Sequence, residues 1–96
     1  MRFKEKTAVI TGGAKGIGRA VAEGLVAEGA SVVISDMDLA SVSKTATEIQ
    51  KVFGGRAVPF KADVRKKGDI LSLVESAKKE FGRVDILFNN AGICTS

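Results

Sequence analysis

Apolar positions along the chain alternate between unbroken runs and helical stripes, and that alternation predicts its elements. Residues 5–11 contain Thr7-Ala8-Val9-Ile10, apolar without period-two alternation, as a central parallel strand covered on both faces requires. Ile17, Ala20, Val21 and Leu25 then recur at helical spacing, predicting a helix over residues 16–28 that Gly29 closes in the left-handed C′ position. Ala30-Ser31-Val32-Val33-Ile34-Ser35 reads as a second buried strand ending in Asp36. Leu39, Val42, Ala46, Ile49 and Phe53 form the stripe of a second helix, stopped by Gly54-Gly55.

Residues 56–62 make a third strand, and it holds the only proline, Pro59. Proline lacks the N–H that a central strand donates, so this strand belongs at a sheet edge. Asp69 is the expected N-cap of a third helix with the stripe Ile70, Leu73, Val74, Ala77 and Phe81, closed by Gly82. Residues 84–89 form the fourth strand, leading into Asn90-Ala91-Gly92. This β-α-β-α-β-α-β order predicts a Rossmann-type, doubly wound α/β fold with a parallel sheet in the order 3-2-1-4. Right-handed crossovers put the first two helices on one face and the third on the other. Nothing follows to pair with the fourth strand's outer edge, so the pattern reads as a fold cut after that strand.

Composition narrows the class without changing the picture. At 96 residues there is room for one domain and no second, with 45% hydrophobic and 27% charged residues. No apolar run approaches the ~20 residues of a membrane span, and the polar start Met1-Arg2-Phe3-Lys4-Glu5-Lys6 is no secretory signal. A cytoplasmic protein with no membrane partner is expected. The net charge of +4 comes from scattered lysines and arginines, and without Tyr or Trp to stack bases it reads as a solvated basic face rather than a nucleic-acid surface. The single cysteine, Cys94, allows no internal disulfide. With no histidine to activate it, Cys94 is expected to be inert; no metal-ligand cluster is expected either.

The chemistry starts at Thr11-Gly12-Gly13-Ala14-Lys15-Gly16-Ile17-Gly18, between the first strand and the first helix. Glycines there let the backbone turn tightly and bring its N–H groups within reach of a diphosphate at the helix N-terminus. The spacing is T-G-x-x-x-G-x-G. Val21 stands where the common G-x-G-x-x-G form needs its last glycine, and no Gly-Lys-Ser/Thr follows as a P-loop would require. With this turn and Asn89-Asn90-Ala91-Gly92 after the fourth strand, the chain resembles the short-chain dehydrogenase/reductase family in its basic, single-domain branch. The resemblance covers the whole chain but only the cofactor-binding half of the family pattern.

Four groups fall at the carboxyl ends of successive strands, where open parallel sheets bind ligands: the glycine turn, Asp36, Asp63 and Asn90. Gly12 makes the turn, Gly16 admits the diphosphate, and Gly18 permits close helix–strand packing. Lys15 and Ile17 are expected to meet the cofactor through backbone atoms. Asp36, twenty residues beyond Gly16, accepts hydrogen bonds from the adenosine ribose and repels a 2′-phosphate. It argues for NAD over NADP, and Asp38 adds negative charge nearby. Lys15 pulls the other way, since a basic residue before the second glycine often accompanies NADP in the family. The resemblance further implies that Asp63 and Val64 contact adenine, and that Asn90, Ala91 and Gly92 line the ribose on the nicotinamide side. Phe53, Phe81 and Phe88 are assigned to the core.

The implied activity is hydride transfer between a nicotinamide and an alcohol or carbonyl substrate. The family's catalytic Ser, Tyr and Lys have no counterparts in these 96 residues, and there is no tyrosine at all. The expectation is therefore a cofactor-binding half that is inactive alone, from a parent that forms a homodimer or homotetramer. The alternative is a non-catalytic nucleotide-binding or interaction module made as a truncated product; a flavin half-domain is a weaker third reading.

Overall fold

β1 (Thr7–Thr11) is buried at every position, as its unbroken run requires of a strand with helices on both sides. It is the first element of a computed structural model that describes residues 2–90. After it come α1 (Gly16–Ala27), β2 (Ser31–Asp36), α2 (Leu39–Phe53), β3 (Ala57–Lys61), α3 (Lys67–Phe81) and β4 (Ile86–Asn89). The strands form one parallel sheet in the order β3-β2-β1-β4, the Rossmann-like arrangement expected from the sequence. Pro59 pairs with Ile34 on the outermost strand, the position a proline-bearing strand can occupy.

Alternate side chains of each strand serve two separate cores. Ala8, Ile10, Val32 and Ile34 pack with Ala22 and Val26 of α1 and with Val42, Ala46 and Ile49 of α2. Val9 and Val33 point the other way and pack with Leu73 and Ala77 of α3. The first two helices thus share one face and the third takes the other, as the alternation predicts. Phe88 is half-buried against the first core and Phe81 against the second. Leu87, in register with Val9 and so on the α3 face, is 53% exposed because α3 packs over β1 and β2.

Three expectations need correction. On α1 the buried residues are Gly18, Ala22 and Val26, with Val21 and Leu25 beside them, while Ile17 and Ala20 are exposed. Small residues on that line let the helix close onto the sheet, which displaces the stripe. Phe53 is 40% exposed rather than core, and Leu39 at the other end of the stripe is 49% exposed. A fifteen-residue helix runs about 22 Å and a five-residue strand about 17 Å, so the stripe overshoots the sheet at both ends. Asp69 does not cap α3, which begins two residues earlier behind Lys66. Its carboxylate instead accepts the Asp63 N–H at 2.8 Å and ties down the loop after β3.

Two contacts fix the frame around β1. At its carboxyl end α1 approaches so closely that a Cβ on Gly18 would lie 2.1 Å from the Gly12 carbonyl oxygen. At its start, the Asp85 N–H donates to Thr7 O and the Thr7 N–H donates to Asp85 Oδ2, both at 2.9 Å, anchoring the entry to β4. The Arg83 guanidinium spans both Asp85 oxygens at 2.7–3.1 Å. Arg83 first, and the Thr7 N–H second, hold the Asp85 carboxyl below its ordinary 3.8.

Gly18→Ala is expected to destabilise the protein by roughly 2–3 kcal/mol in a denaturant melt, because the partner atom is backbone and cannot turn aside. For Asp85 the folded pKa lies below the unfolded one, so its contribution is complete above about pH 5 and fades as pH falls through 3.8 and below. Asp85→Asn should therefore melt below wild type at pH 7, with the gap narrowing between pH 5 and 2.5. A gap that stays constant would assign the loss to something other than the carboxylate charge.

Candidate cofactor site

The carboxyl ends of β1, β2 and β3 open onto one cleft, and the glycine turn forms its floor. The end of β2, α2 and the residue after β4 hold that turn by polar contacts. The Gly13 N–H donates to Ser35 O at 2.9 Å, and the Ala14 N–H donates to Asp36 Oδ2 at 3.2 Å, both at the end of β2. From α2, Thr45 Oγ1 donates to Ala14 O at 2.6 Å. After β4, Asn90 Nδ2 donates to Gly12 O at 3.2 Å. Thr11, at the end of β1, donates its hydroxyl to Asn89 Oδ1 at 2.8 Å and so joins the two central strand ends.

The outer surface of the turn suits a phosphate group. Gly16 has φ +65°, and a Cβ built on it would meet nothing within 4 Å, so bare backbone faces open space at the start of α1. Lys15 is the N-cap and makes no side-chain capping bond. The first-turn N–H groups and the positive end of the helix dipole are left for an anion. Ile17, next to Gly16, is 67% exposed.

Beside the turn lies a cavity of about 240 Å³ lined by Gly12, Asp36, Met37, Ala62, Asp63, Val64 and Arg65. Asp36 Oδ1 accepts the Met37 N–H at 2.8 Å while Oδ2 accepts Ala14, which leaves the carboxylate further lone pairs toward the cavity. Asp63 takes the Arg65 guanidinium on both oxygens at 2.9 Å and the Arg65 N–H on Oδ1 at 3.0 Å. Those contacts, the side chain before the N–H, hold the Asp63 carboxyl at about 2. It is ionised at any ordinary pH and can only accept. The Asp38 carboxyl is held low by the Ser41 N–H and then by the Ser41 hydroxyl, with Lys15 a lesser attraction.

Gly12, Lys15, Gly16, Ile17, Gly18, Asp36, Asp63, Val64 and Asn90 thus gather at one edge of the sheet. Ala91, Gly92 and Cys94 lie outside the described residues. Sequence reasoning missed Met37, Ala62 and Arg65, which line the cavity, and Thr45 and Ser35, which brace the turn. A signal existed for Thr45, a hydroxyl set three residues after Val42 and four before Ile49 on the apolar stripe. Among the described residues no group of His, Cys, Asp and Glu could hold a metal ion, and no helix is long and apolar enough to cross a membrane.

Comparison with known proteins agrees with this geometry. The short chain dehydrogenase family profile matches residues 6–96. A diacetyl reductase [(S)-acetoin forming] of Staphylococcus epidermidis is 43% identical over 92% of the chain, which covers 34% of that protein. L-Sorbose reductase from Gluconobacter frateurii, solved with NADPH and L-sorbose, superposes with a TM-score of 0.89 at 38% identity, over 97% of this chain and 35% of that one. A short chain dehydrogenase/reductase from Burkholderia phymatum, solved with NAD, superposes at 0.85 and 31% identity, over 91% of this chain and 31% of that one. The chain spans 14% of one curated relative and about a third of the length of others. Neighbours with either nicotinamide cofactor share this backbone. Since the family profile runs from the start of β1 past the end of β4, the chain belongs to the short-chain dehydrogenase/reductase family.

Proposed function

We propose that the chain forms the nucleotide-binding part of an NAD(P)-dependent oxidoreductase acting on an alcohol or carbonyl substrate, with NAD preferred. The observation that carries this reading is the Asp36 carboxylate, held at the end of β2 between the glycine turn and the adjoining cavity. Bound there, the nicotinamide cofactor would supply or accept the hydride. The protein's part is to bind and orient it. Gly12, Gly16 and Gly18 shape the turn, and the backbone at Lys15 and Ile17 meets the phosphates. Asp36 takes the ribose hydroxyls, while Asp63 and Val64 take adenine. Asn90, Ala91 and Gly92 border the ribose on the nicotinamide side.

The preference for NAD follows from charge. A 2′-phosphate would stand against the Asp36 carboxylate, with Asp38 adding negative charge nearby. Diacetyl and L-sorbose reduction among the relatives support alcohol or carbonyl chemistry. Residues 1–96 as the N-terminal part of a single dinucleotide-binding domain, and a cytoplasmic homodimer or homotetramer for the whole protein, complete the proposal on the family resemblance. With no tyrosine and no histidine in the 96 residues, the family's tyrosine proton donor is lacking and no histidine can replace it.

Titration of the purified 96-residue chain with NADH, followed by nucleotide fluorescence, should show saturable binding with NADPH weaker. Asp36→Asn should narrow that preference about tenfold, since it removes one charge-assisted contact. An unchanged ratio would take Asp36 out of the ribose site. Incubated with either reduced cofactor and a panel of ketones and aldehydes, the same chain should oxidise none; substrate-dependent loss of NADH absorbance would refute the assignment of a binding part alone.

A further inference from the structure

Thr45 lies on the packed face of α2 with Val42, Ala46 and Ile49, and is 3% exposed. A threonine inside a helix commonly turns its hydroxyl back to the carbonyl four residues earlier. Thr47 does so, donating to Ser43 O at 3.0 Å. Thr45 donates out of its helix instead, to Ala14 O at 2.6 Å in the glycine turn. A valine would occupy nearly the same volume and need no partner, so the hydroxyl matters for what it holds rather than for what it fills.

What it holds is a peptide unit of the turn. The Ala14 N–H is engaged by Asp36 and the Ala14 carbonyl by Thr45, so both peptides flanking this residue are restrained. The Ala14–Lys15 peptide is trans and planar, which makes its carbonyl and N–H antiparallel. A carbonyl drawn toward α2 therefore aims the Lys15 N–H away from α2. We infer that Thr45 is a positioning residue for the nucleotide turn: its hydroxyl fixes the Ala14–Lys15 peptide so that the Lys15 N–H stays directed at the phosphate-bearing side of a bound dinucleotide. The inference rests on the nucleotide-binding reading above.

The test titrates wild type, Thr45→Val and Thr45→Ser with NADH at a temperature where circular dichroism shows each one folded. Thr45→Val should bind about tenfold more weakly, the loss of one well-placed backbone donor, and Thr45→Ser within about twofold of wild type. If wild type binds and Thr45→Val binds equally well, even with a lowered melting temperature, Thr45 is a structural hydroxyl and the inference is overturned while the nucleotide reading stands. If wild type does not bind NADH, both fall. Should Thr45→Val not fold, a two-dimensional amide NMR titration of wild type decides the matter. The Lys15 amide resonance should move on saturation with NADH, and a stationary one would overturn the inference.

Discussion

The approach of one backbone to another, α1 at Gly18 against the turn at Gly12, is the constraint on which the rest of the structure depends. A Cβ on Gly18 would lie 2.1 Å from the Gly12 carbonyl oxygen, so the helix can be seated only by a residue without one. Once seated, it brings its unpaired N–H groups to the edge of the sheet where β1, β2 and β3 all end. The apolar core keeps the helix in place through equally small side chains, Ala22 chief among them. The turn itself sends only the methyl group of Ala14 into that core. Its geometry is instead held by polar groups from β2, α2 and the end of β4, each reaching a different backbone atom.

That division gives the cleft a sorted charge distribution. Partial positive charge gathers at the start of α1, where bare backbone faces outward at Gly16. Two carboxylates line the adjoining cavity, Asp36 from the end of β2 and Asp63 from the loop after β3. Arg65 neutralises Asp63 without removing its capacity to accept, because a carboxylate offers more lone pairs than one guanidinium and one N–H can use. A molecule with a diphosphate at one end and a neutral sugar and base at the other matches this order of charges. A uniformly anionic or cationic ligand does not.

The sheet order was legible in the sequence because its signals are local and physical. Unbroken apolar runs mark buried parallel strands, and Pro59 alone sends the third strand to the edge. The glycine spacing marks the turn for the same reason, since few other residues could occupy those positions. Illegible were the features set by distance between elements. Whether Phe53 is core depends on how far α2 overshoots β3, and whether Asp69 caps α3 depends on a loop N–H that competes for it. Arg65 is one of many scattered charges in the sequence, and only the course of the loop after β3 sets it beside the cavity. Thr45 interrupts an apolar stripe in the sequence, and nothing local points to its partner 31 residues away.

The pairing of β1 with β4 imposes an order on synthesis. Thr7 meets Asp85, Thr11 meets Asn89 and Gly12 meets Asn90, each across 78 residues. Loop closure over that span must come before the contacts that reward it, so the central strand waits for nearly the whole described chain. As the protein leaves the ribosome, β1, α1 and β2 can form while one edge of β1 still lacks its partner. The glycine turn at that stage has its β2 restraints but lacks those from α2 and from Asn90. The completed turn is thus a late property of the nascent chain, acquired only when the segment carrying Asn89 and Asn90 emerges and docks.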